Sequence, residues 1–422
     1  MVAARSPASI DPPSSRPANR QRKPKRGITT MKFQETNHVA TISLKRMGQV
    51  LAAAAIITTL AACGGGGDGG APSNPASGNA QGSTKLQVVA FGDELSDVGT
   101  YAPNILLGFG GGRYTTNPGE VWAQKLAAAY GGSLTAAYQG GFGVPLTAST
   151  GLGYAQGGAR VQNAIGIGHA ASGTANADYS QATTVPVTQQ LQNYLTAHGS
   201  FNAGQLVVVN GGTNDILSLA PTLQSAIAAD VAGGMDATLA VQKEGSAALA
   251  PVAQALAGVV QQIASAGATR VVLVNVPDLG QTPYAVRSGA SAQQLLSGLT
   301  KVYNTVLSQS VQALGIPANR LTLVDLSTWQ DGVIAGYQAS GFSVGNTGTA
   351  CNIDAMVTNA AKAGVANPQA FGSALFCSPQ TYTVAGADQT YMFADLFNPS
   401  TRLHALFAQQ VQQQLTAAGL AS

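Results

Sequence analysis

Residues 88–99 read Val-Val-Ala-Phe-Gly-Asp-Glu-Leu-Ser-Asp-Val-Gly, an apolar stretch that runs directly into a Gly-Asp turn. The apolar part is rich in β-branched residues and predicts a buried strand. Glycine followed by aspartate is typical of a turn at the end of a strand. Ligands of open α/β sheets bind beyond the carboxyl ends of the strands. We therefore expect the residues that follow Phe91 to belong to a functional site.

The rest of the chain alternates strand patterns with helix patterns. This alternation predicts an α/β fold, a three-layer α/β/α sandwich with a mainly parallel sheet, over residues 85–422. The Gly-rich segment 104–178 is too long for a simple connection, and we expect it to fold over the carboxyl ends of the strands. Strands are predicted at 86–91, 206–209, 270–276 and 321–324, and helices at 121–130, 186–198, 240–266, 291–314 and 401–418.

The N-terminal segment resembles a lipoprotein leader. Lys45-Arg46 precede an apolar run, 50–60, that is too short to span a bilayer, and the sequence Leu-Ala-Ala-Cys at 60–63 has the form of a lipobox. We predict that residues 1–62 are removed and that Cys63 is acylated and anchors the chain to the bacterial outer membrane. The alternative is an ordinary signal peptide with a chance cysteine. Residues 63–84 predict a flexible linker.

Charge and cysteine content fit an exported protein. Residues 1–62 hold 10 of the 21 Lys and Arg and 2 of the 18 acidic residues, so the remainder has 11 basic and 16 acidic residues and a net charge of −5. An acidic surface argues against a nucleic-acid partner. Besides Cys63, only Cys351 and Cys377 remain, and we predict a disulfide between them; two free buried thiols are the alternative. No metal or cofactor is expected.

Three further strings follow the first in order. They are Tyr-Ala-Gln-Gly-Gly-Ala-Arg at 154–160, Val-Val-Val-Asn-Gly-Gly-Thr-Asn-Asp at 207–215, and Ala-Asp-Leu-Phe-Asn-Pro-Ser at 394–400. A glycine pair alone is usually a turn, and an asparagine before a helix is often a cap. Together and in this order, the four strings resemble the blocks of the SGNH or GDSL hydrolases, in their lipase and esterase branch.

The resemblance implies a role for five positions. Glu94 stands where the family has its nucleophilic serine, and Asn398 stands where it has its catalytic histidine. The backbone N–H of Gly158, chosen over Gly157, and the side-chain amide of Asn214 would form the oxyanion hole. Asp395 would orient the missing histidine. The implied substrates are carboxylic esters such as acyl lipids, polyester oligomers or acetylated glycans.

The two replacements lead to three hypotheses. Neither Glu94 nor Asn398 can supply an alkoxide or accept its proton, so we expect that hydrolysis is lost or strongly reduced and that Glu94 plugs the site. A second hypothesis is a surface module that binds acyl or glycan ligands. The third is a hydrolase with an unusual site, in which Glu94 and Asp395 form a carboxylate pair or bind a cation with Asn214 and Asn398.

Other nucleophiles and bases receive less weight. Ser96 lies two residues beyond Glu94 and is expected to point away from the reacting position. His404, six residues beyond Asn398, is most simply a histidine that packs or caps a helix. No motif places His169 or His198 as the base.

Overall fold

The computed structural model describes residues 85–103, 105, 110–141, 144–167, 184–364 and 368–419. The predicted leader, the lipobox with Cys63, the linker up to residue 84 and His169 all lie outside these residues. All four motif strings lie within them.

A four-stranded parallel sheet forms the centre of the domain. Its strands β1, β4, β5 and β6 lie side by side in that order. The side chains of β4 and β5 are buried throughout, as expected for parallel strands that are covered on both faces. The strands are β1 Gln87–Phe91, β4 Gln205–Val209, β5 Val271–Val274 and β6 Leu321–Val324, and a separate antiparallel pair is formed by β2 Tyr138–Gly141 and β3 Val144–Ala148.

Helices flank this sheet and confirm the predicted α/β class. The helices are α1 Trp122–Ala129, α2 Val187–His198, α3 Thr213–Ala232, α4 Ala237–Ser265, α5 Pro283–Ser288, α6 Ala290–Gln312, α7 Leu326–Ala335, α8 Ile353–Lys362, α9 Ala387–Thr390 and α10 Thr401–Ala417. Helix α1 packs on α10 and on β1, while α4 packs on α2, α3, α6 and β5.

Helix α3 is absent from the predicted helices. Its buried residues include Ile216, Ala220, Leu223 and Ile227, which are spaced by four, three and four positions. That spacing marks one face of a helix. Pro221 lies inside it and lacks the N–H that would continue the hydrogen-bond ladder, so packing against α4 overrides a weak local preference.

The Gly-rich segment returns along the edge of β1. Ala90 donates its N–H to the carbonyl of Leu152 at 3.0 Å and accepts the N–H of Tyr154 at 2.7 Å. This pairing guides the chain from β3 past the carboxyl end of β1. It thereby brings Gly157 and Gly158 beside the turn that follows Phe91.

Cys351 and Cys377 are joined by a disulfide, with their Cα atoms 5.8 Å apart. Both cysteines are fully buried in a small apolar cluster that also contains Phe371 and Ala394. The disulfide closes a loop that contains α8 and the segment after it. Because Ala394 immediately precedes Asp395, this cluster supports the backbone that carries the Asp395 carboxylate.

Candidate active site

Three distant segments meet at the carboxyl ends of β1 and β4. Glu94 follows β1, Asn214 is the second residue of α3, and Gly158 lies in the returning Gly-rich segment. The Oε2 atom of Glu94 accepts the N–H of Gly158 at 3.0 Å and the side-chain N–H of Asn214 at 2.7 Å. The two groups expected to bind an oxyanion thus donate to a carboxylate that belongs to the chain itself.

The turn that carries Glu94 requires glycine at position 92. Gly92 has φ +152°, and a Cβ there would lie 2.1 Å from Oδ1 of Asn210. The side chain of Gln190 holds this residue at both ends: its Oε1 accepts the Gly92 N–H and its Nε2 donates to the Gly92 carbonyl, each at 2.8 Å. Sequence reasoning did not identify Gln190, which lies in α2, 98 residues away.

Asp97 fixes the neighbouring glycine loop. Its Oδ2 accepts the N–H of Gly157 at 2.8 Å, and its Oδ1 accepts those of Gly99 and Thr100 at 2.9 and 2.8 Å. With Gly157 held by Asp97, the next N–H, that of Gly158, faces Glu94. Gly158 has φ +81°, a left-handed conformation that favours glycine.

Asn214 and its neighbour Asp215 attach this loop to α3. The Nδ2 of Asn214 also donates to the carbonyl of Ala159 at 2.9 Å, whereas the residue that caps α3 is Gly212. Asn214 is therefore not the N-cap. Asp215 accepts from Arg160 Nε at 3.1 Å in an ion pair.

Asp395 and Asn398 lie together on the other side of the cavity. The Nδ2 of Asn398 donates to both carboxylate oxygens of Asp395, at 3.1 and 2.9 Å. Backbone N–H groups of Ala374, Phe397 and Asn398 complete the shell at 2.6 to 2.9 Å. Asn398 thus makes the orienting hydrogen bond that a histidine would make, but a neutral amide cannot take up a proton as a base.

The alternative nucleophile Ser96 and the two described histidines lie elsewhere. Ser96 is fully buried; its Oγ donates to Oδ1 of Asn210 at 2.7 Å and accepts from Nε1 of Trp122 at 3.0 Å. His404 accepts the backbone N–H of Trp122 on Nδ1 at 3.2 Å, and burial lowers its pKa to about 3. His198 lies within 3.1 Å of the Tyr154 hydroxyl. None of these side chains lines the cavity around Glu94.

The cavity beside Glu94 is small and mainly apolar, with a volume of about 150 Å³. A larger cleft of about 640 Å³ lies at the carboxyl ends of β5 and β6, but it contains none of the motif side chains, so we place the site at the smaller one. Among the described residues, no group of three His, Cys, Asp or Glu is arranged to hold a metal ion. The apolar wall of the smaller cavity consists of Ile167, Leu217, Ile353, Ala370, Leu375, Phe376, Leu396 and Phe397.

Two adjacent carboxyl groups lie in the turn after β1, with Asp93 fully buried and Glu94 partly buried. Burial is the main cause that raises the pKa of Glu94 above its ordinary 4.5, and the charge of Asp395 adds to it. The hydrogen bonds from Asn214 and Gly158 oppose this shift. Burial and the charge of Glu94 raise the pKa of Asp93 well above 3.8, and its Oδ2 is buried without a partner among the described residues.

We predict that Glu94→Gln makes stability less dependent on pH. A carboxyl group with a raised pKa in the folded state binds more protons there than in the unfolded chain, so the free energy of unfolding falls as pH rises through that pKa. Glutamine keeps one acceptor oxygen for Gly158 and Asn214 without this penalty. Urea unfolding from pH 4.5, the ordinary pKa of glutamate, to about pH 8 measures the effect.

The variant should match the wild type at the acidic end and exceed it at the basic end. Asp354→Asn, which neutralises an exposed carboxylate on α8, is the matched control. An unchanged slope in Glu94→Gln would show that the carboxylate is not buried in this way.

Comparison with known proteins supports the family predicted from the motifs. Residues 88–411 match the model of the family described as GDSL-like lipase/acylhydrolase, a range that contains all four motif strings. A search of curated proteins finds no match. Among solved structures, an extracellular lipase from Streptomyces rimosus is 17% identical and matches 58% of this chain and 82% of its own, with a TM-score of 0.31. Since the family model spans more than half of the sequence, the chain belongs to the GDSL-like lipase/acylhydrolase family.

Proposed function

We propose that this protein is a lipid-anchored descendant of an esterase whose ester hydrolysis is lost or strongly reduced. One observation carries the proposal: the Oε2 atom of Glu94 accepts the hydrogen bonds of Gly158 and Asn214. These are the donors that would bind the oxyanion formed from a carboxylic ester. The carbonyl oxygen of a substrate has no free donor pair while Glu94 remains there.

The occupied donors bear on the transition state. Removal of one oxyanion-hole donor generally costs a factor of about 10² to 10³ in kcat, or roughly 2.7 to 4 kcal/mol. Here both donors are engaged, and an ionised Glu94 would also repel the negative charge that develops on the substrate. Attack by the carboxylate itself would give a mixed anhydride, which is a more reactive acyl compound than the ester.

The second supporting feature is the absence of a base at position 398. General base catalysis contributes about 10² to 10⁴ in rate. Asn398 binds Asp395 with its Nδ2 and has no titratable nitrogen to accept the proton of a nucleophile. The remaining scaffold, Asp395 with its three backbone donors, is intact.

We predict that Glu94→Ser combined with Asn398→His gains hydrolysis of short-chain nitrophenyl esters, while the wild type has none at ordinary enzyme rates. The serine frees Gly158 and Asn214, and the histidine takes the place of Asn398 beside Asp395. Initial rates should exceed those of Glu94→Ser alone by about 10² to 10⁴.

The control for this experiment is Glu94→Ala with Asn398→His, which restores the base without a nucleophile and should stay inactive. Turnover by the wild-type protein at ordinary rates would refute the proposal. Circular dichroism of each variant separates an inactive site from an unfolded one.

A second candidate function, binding of acyl ligands without turnover, is favoured by the apolar wall of the cavity. It predicts saturable binding of octanamide, an uncharged acyl compound, in calorimetric titration. Leu217→Asp places a charge in the wall and should weaken binding about tenfold or more. Leu239→Asp, on a side chain of α4 that is 62% exposed, is the matched control. Equal binding by both variants would place the ligand elsewhere.

The third hypothesis, a working carboxylate pair, has less support. Both oxygens of Asp395 already accept hydrogen bonds from Asn398 and from backbone N–H groups. Asn214 donates its side-chain N–H to Glu94, and Asn398 donates its own to Asp395. A cation bound between the carboxylates would need the amide oxygens as ligands, and here the amide N–H groups point to the carboxylates. A cation would require both amides to turn.

The lipid anchor is proposed from the sequence at residues 60–63 and the linker that follows. We predict that cells fed a labelled fatty acid transfer the label to the wild-type chain, and that Cys63→Ala abolishes the transfer because the acylated thiol is lost. The variant should also leave the membrane fraction. Gly64→Ala, which keeps the cysteine, is the control. Label retained in Cys63→Ala would contradict acylation at this residue.

A further inference from the structure

Two arginines lie side by side at the amino-terminal edge of the sheet. Arg270 immediately precedes β5 and Arg320 immediately precedes β6. The register of the two strands pairs Val271 with Leu321, so the arginines are neighbours across adjacent strands, whose spacing is about 4.8 Å. In parallel strands, paired residues point to the same face. Both arginines line one cavity at this edge of the sheet.

This pair of charges is not balanced by acidic residues. The ion pairs among the described residues involve Arg160 and Lys243, and neither Arg270 nor Arg320 forms one. Two like charges that line one cavity raise each other's free energy unless an anion lies between them.

Arg320 has a structural role that leaves part of its side chain unused. Its Nη2 donates to the carbonyls of Ala264 and Ala268 at 3.0 and 2.7 Å, at the end of α4. Its Nε is buried and has no hydrogen-bond partner among the described residues. Arg270 donates only through Nη1 to other described residues, to the carbonyl of Ala203 and to the hydroxyl of Thr269.

Helix ends near the pair offset only part of its charge. Helix α4 ends beside Arg320, and residues at the end of α10 line a cavity together with Arg270 and Arg320. The carboxyl end of a helix carries about half a negative charge. Two such ends together offset about one of the two positive charges of the guanidinium groups, so about one positive charge remains.

Arg270 and Arg320 both line a cavity of about 190 Å³. Asn319 and Thr322 add an amide and a hydroxyl to its lining, and no acidic side chain of the described residues lines it. Forked guanidinium donors match the oxygen atoms of phosphate. We propose that this cavity binds a compact oxyanion, either inorganic phosphate or the terminal phosphate of an ester.

The site is separate from the cavity of Glu94. It lies at the amino ends of β5 and β6, whereas Glu94 lies beyond the carboxyl end of β1. Lys85 leads into β1 at the same edge as the two arginines. A chain anchored through its N-terminal segment would enter the domain there, so both a free phosphate and a lipid headgroup are sources of the anion to be distinguished.

Calorimetric titration of the purified full-length chain with inorganic phosphate tests the proposal. The wild type should bind one phosphate. Arg270→Gln and Thr322→Val should each weaken binding about tenfold or more, since each removes hydrogen-bond donors of a residue that lines the cavity. Both variants leave the bonds of Arg320 to α4 in place, and circular dichroism of each variant separates lost binding from unfolding. Arg287→Gln removes an exposed arginine on α5 and is the matched control.

A parallel titration with dihexanoyl phosphatidic acid, a soluble lipid with a terminal phosphate, identifies the source. Binding of both compounds with the same dependence on Arg270 supports a headgroup ligand; binding of inorganic phosphate alone supports a free anion. The proposal is overturned if inorganic phosphate gives no saturable binding, or if Arg270→Gln binds it as tightly as Arg287→Gln does.

Discussion

The hydrogen bonds from Gly158 and Asn214 to the Glu94 carboxylate are the interaction on which this site depends. They join the turn after β1 to the returning glycine loop and to the start of α3, which lie 64 and 120 residues further along the chain. A side chain without an acceptor oxygen at position 94, such as alanine, would leave two donors to water or ligand. With the Glu94 side chain present, the chain satisfies them internally, and three segments are joined around its carboxyl group.

This arrangement places charge where burial opposes it. Asp93 and Glu94 are adjacent, and burial raises the pKa of both. Proteins commonly retain such local costs where a site was shaped by function, because the surrounding fold holds the residues in place. Gln190 and Asp97 supply that support here, since they bind the backbone on either side of Glu94.

The sequence pattern predicted the layers of the fold better than its contacts. Apolar runs marked all four parallel strands, because strands covered on both faces carry little else. Helix α3 was not predicted, because Pro221 inside it weakens the helical pattern of its buried face. The motif strings predicted that Glu94, Gly158 and Asn214 belong to one site, and in the structure Gly158 and Asn214 donate hydrogen bonds to Glu94. The two hydrogen bonds between Gln190 and Gly92 depend on long-range packing, as does the Asp93 oxygen that has no partner among the described residues. A local sequence pattern cannot predict such contacts.

The disulfide between Cys351 and Cys377 has a consequence for where this protein can mature. It closes the loop that contains Ala374, whose N–H donates to Asp395 at 2.6 Å. The geometry around that carboxylate is therefore tied to thiol oxidation. A chain in a reducing compartment would form the sheet without this disulfide. The loop that carries Ala374, which forms part of the wall beside Asp395, would then be less constrained. Oxidation of this thiol pair thus completes the shape of the cleft.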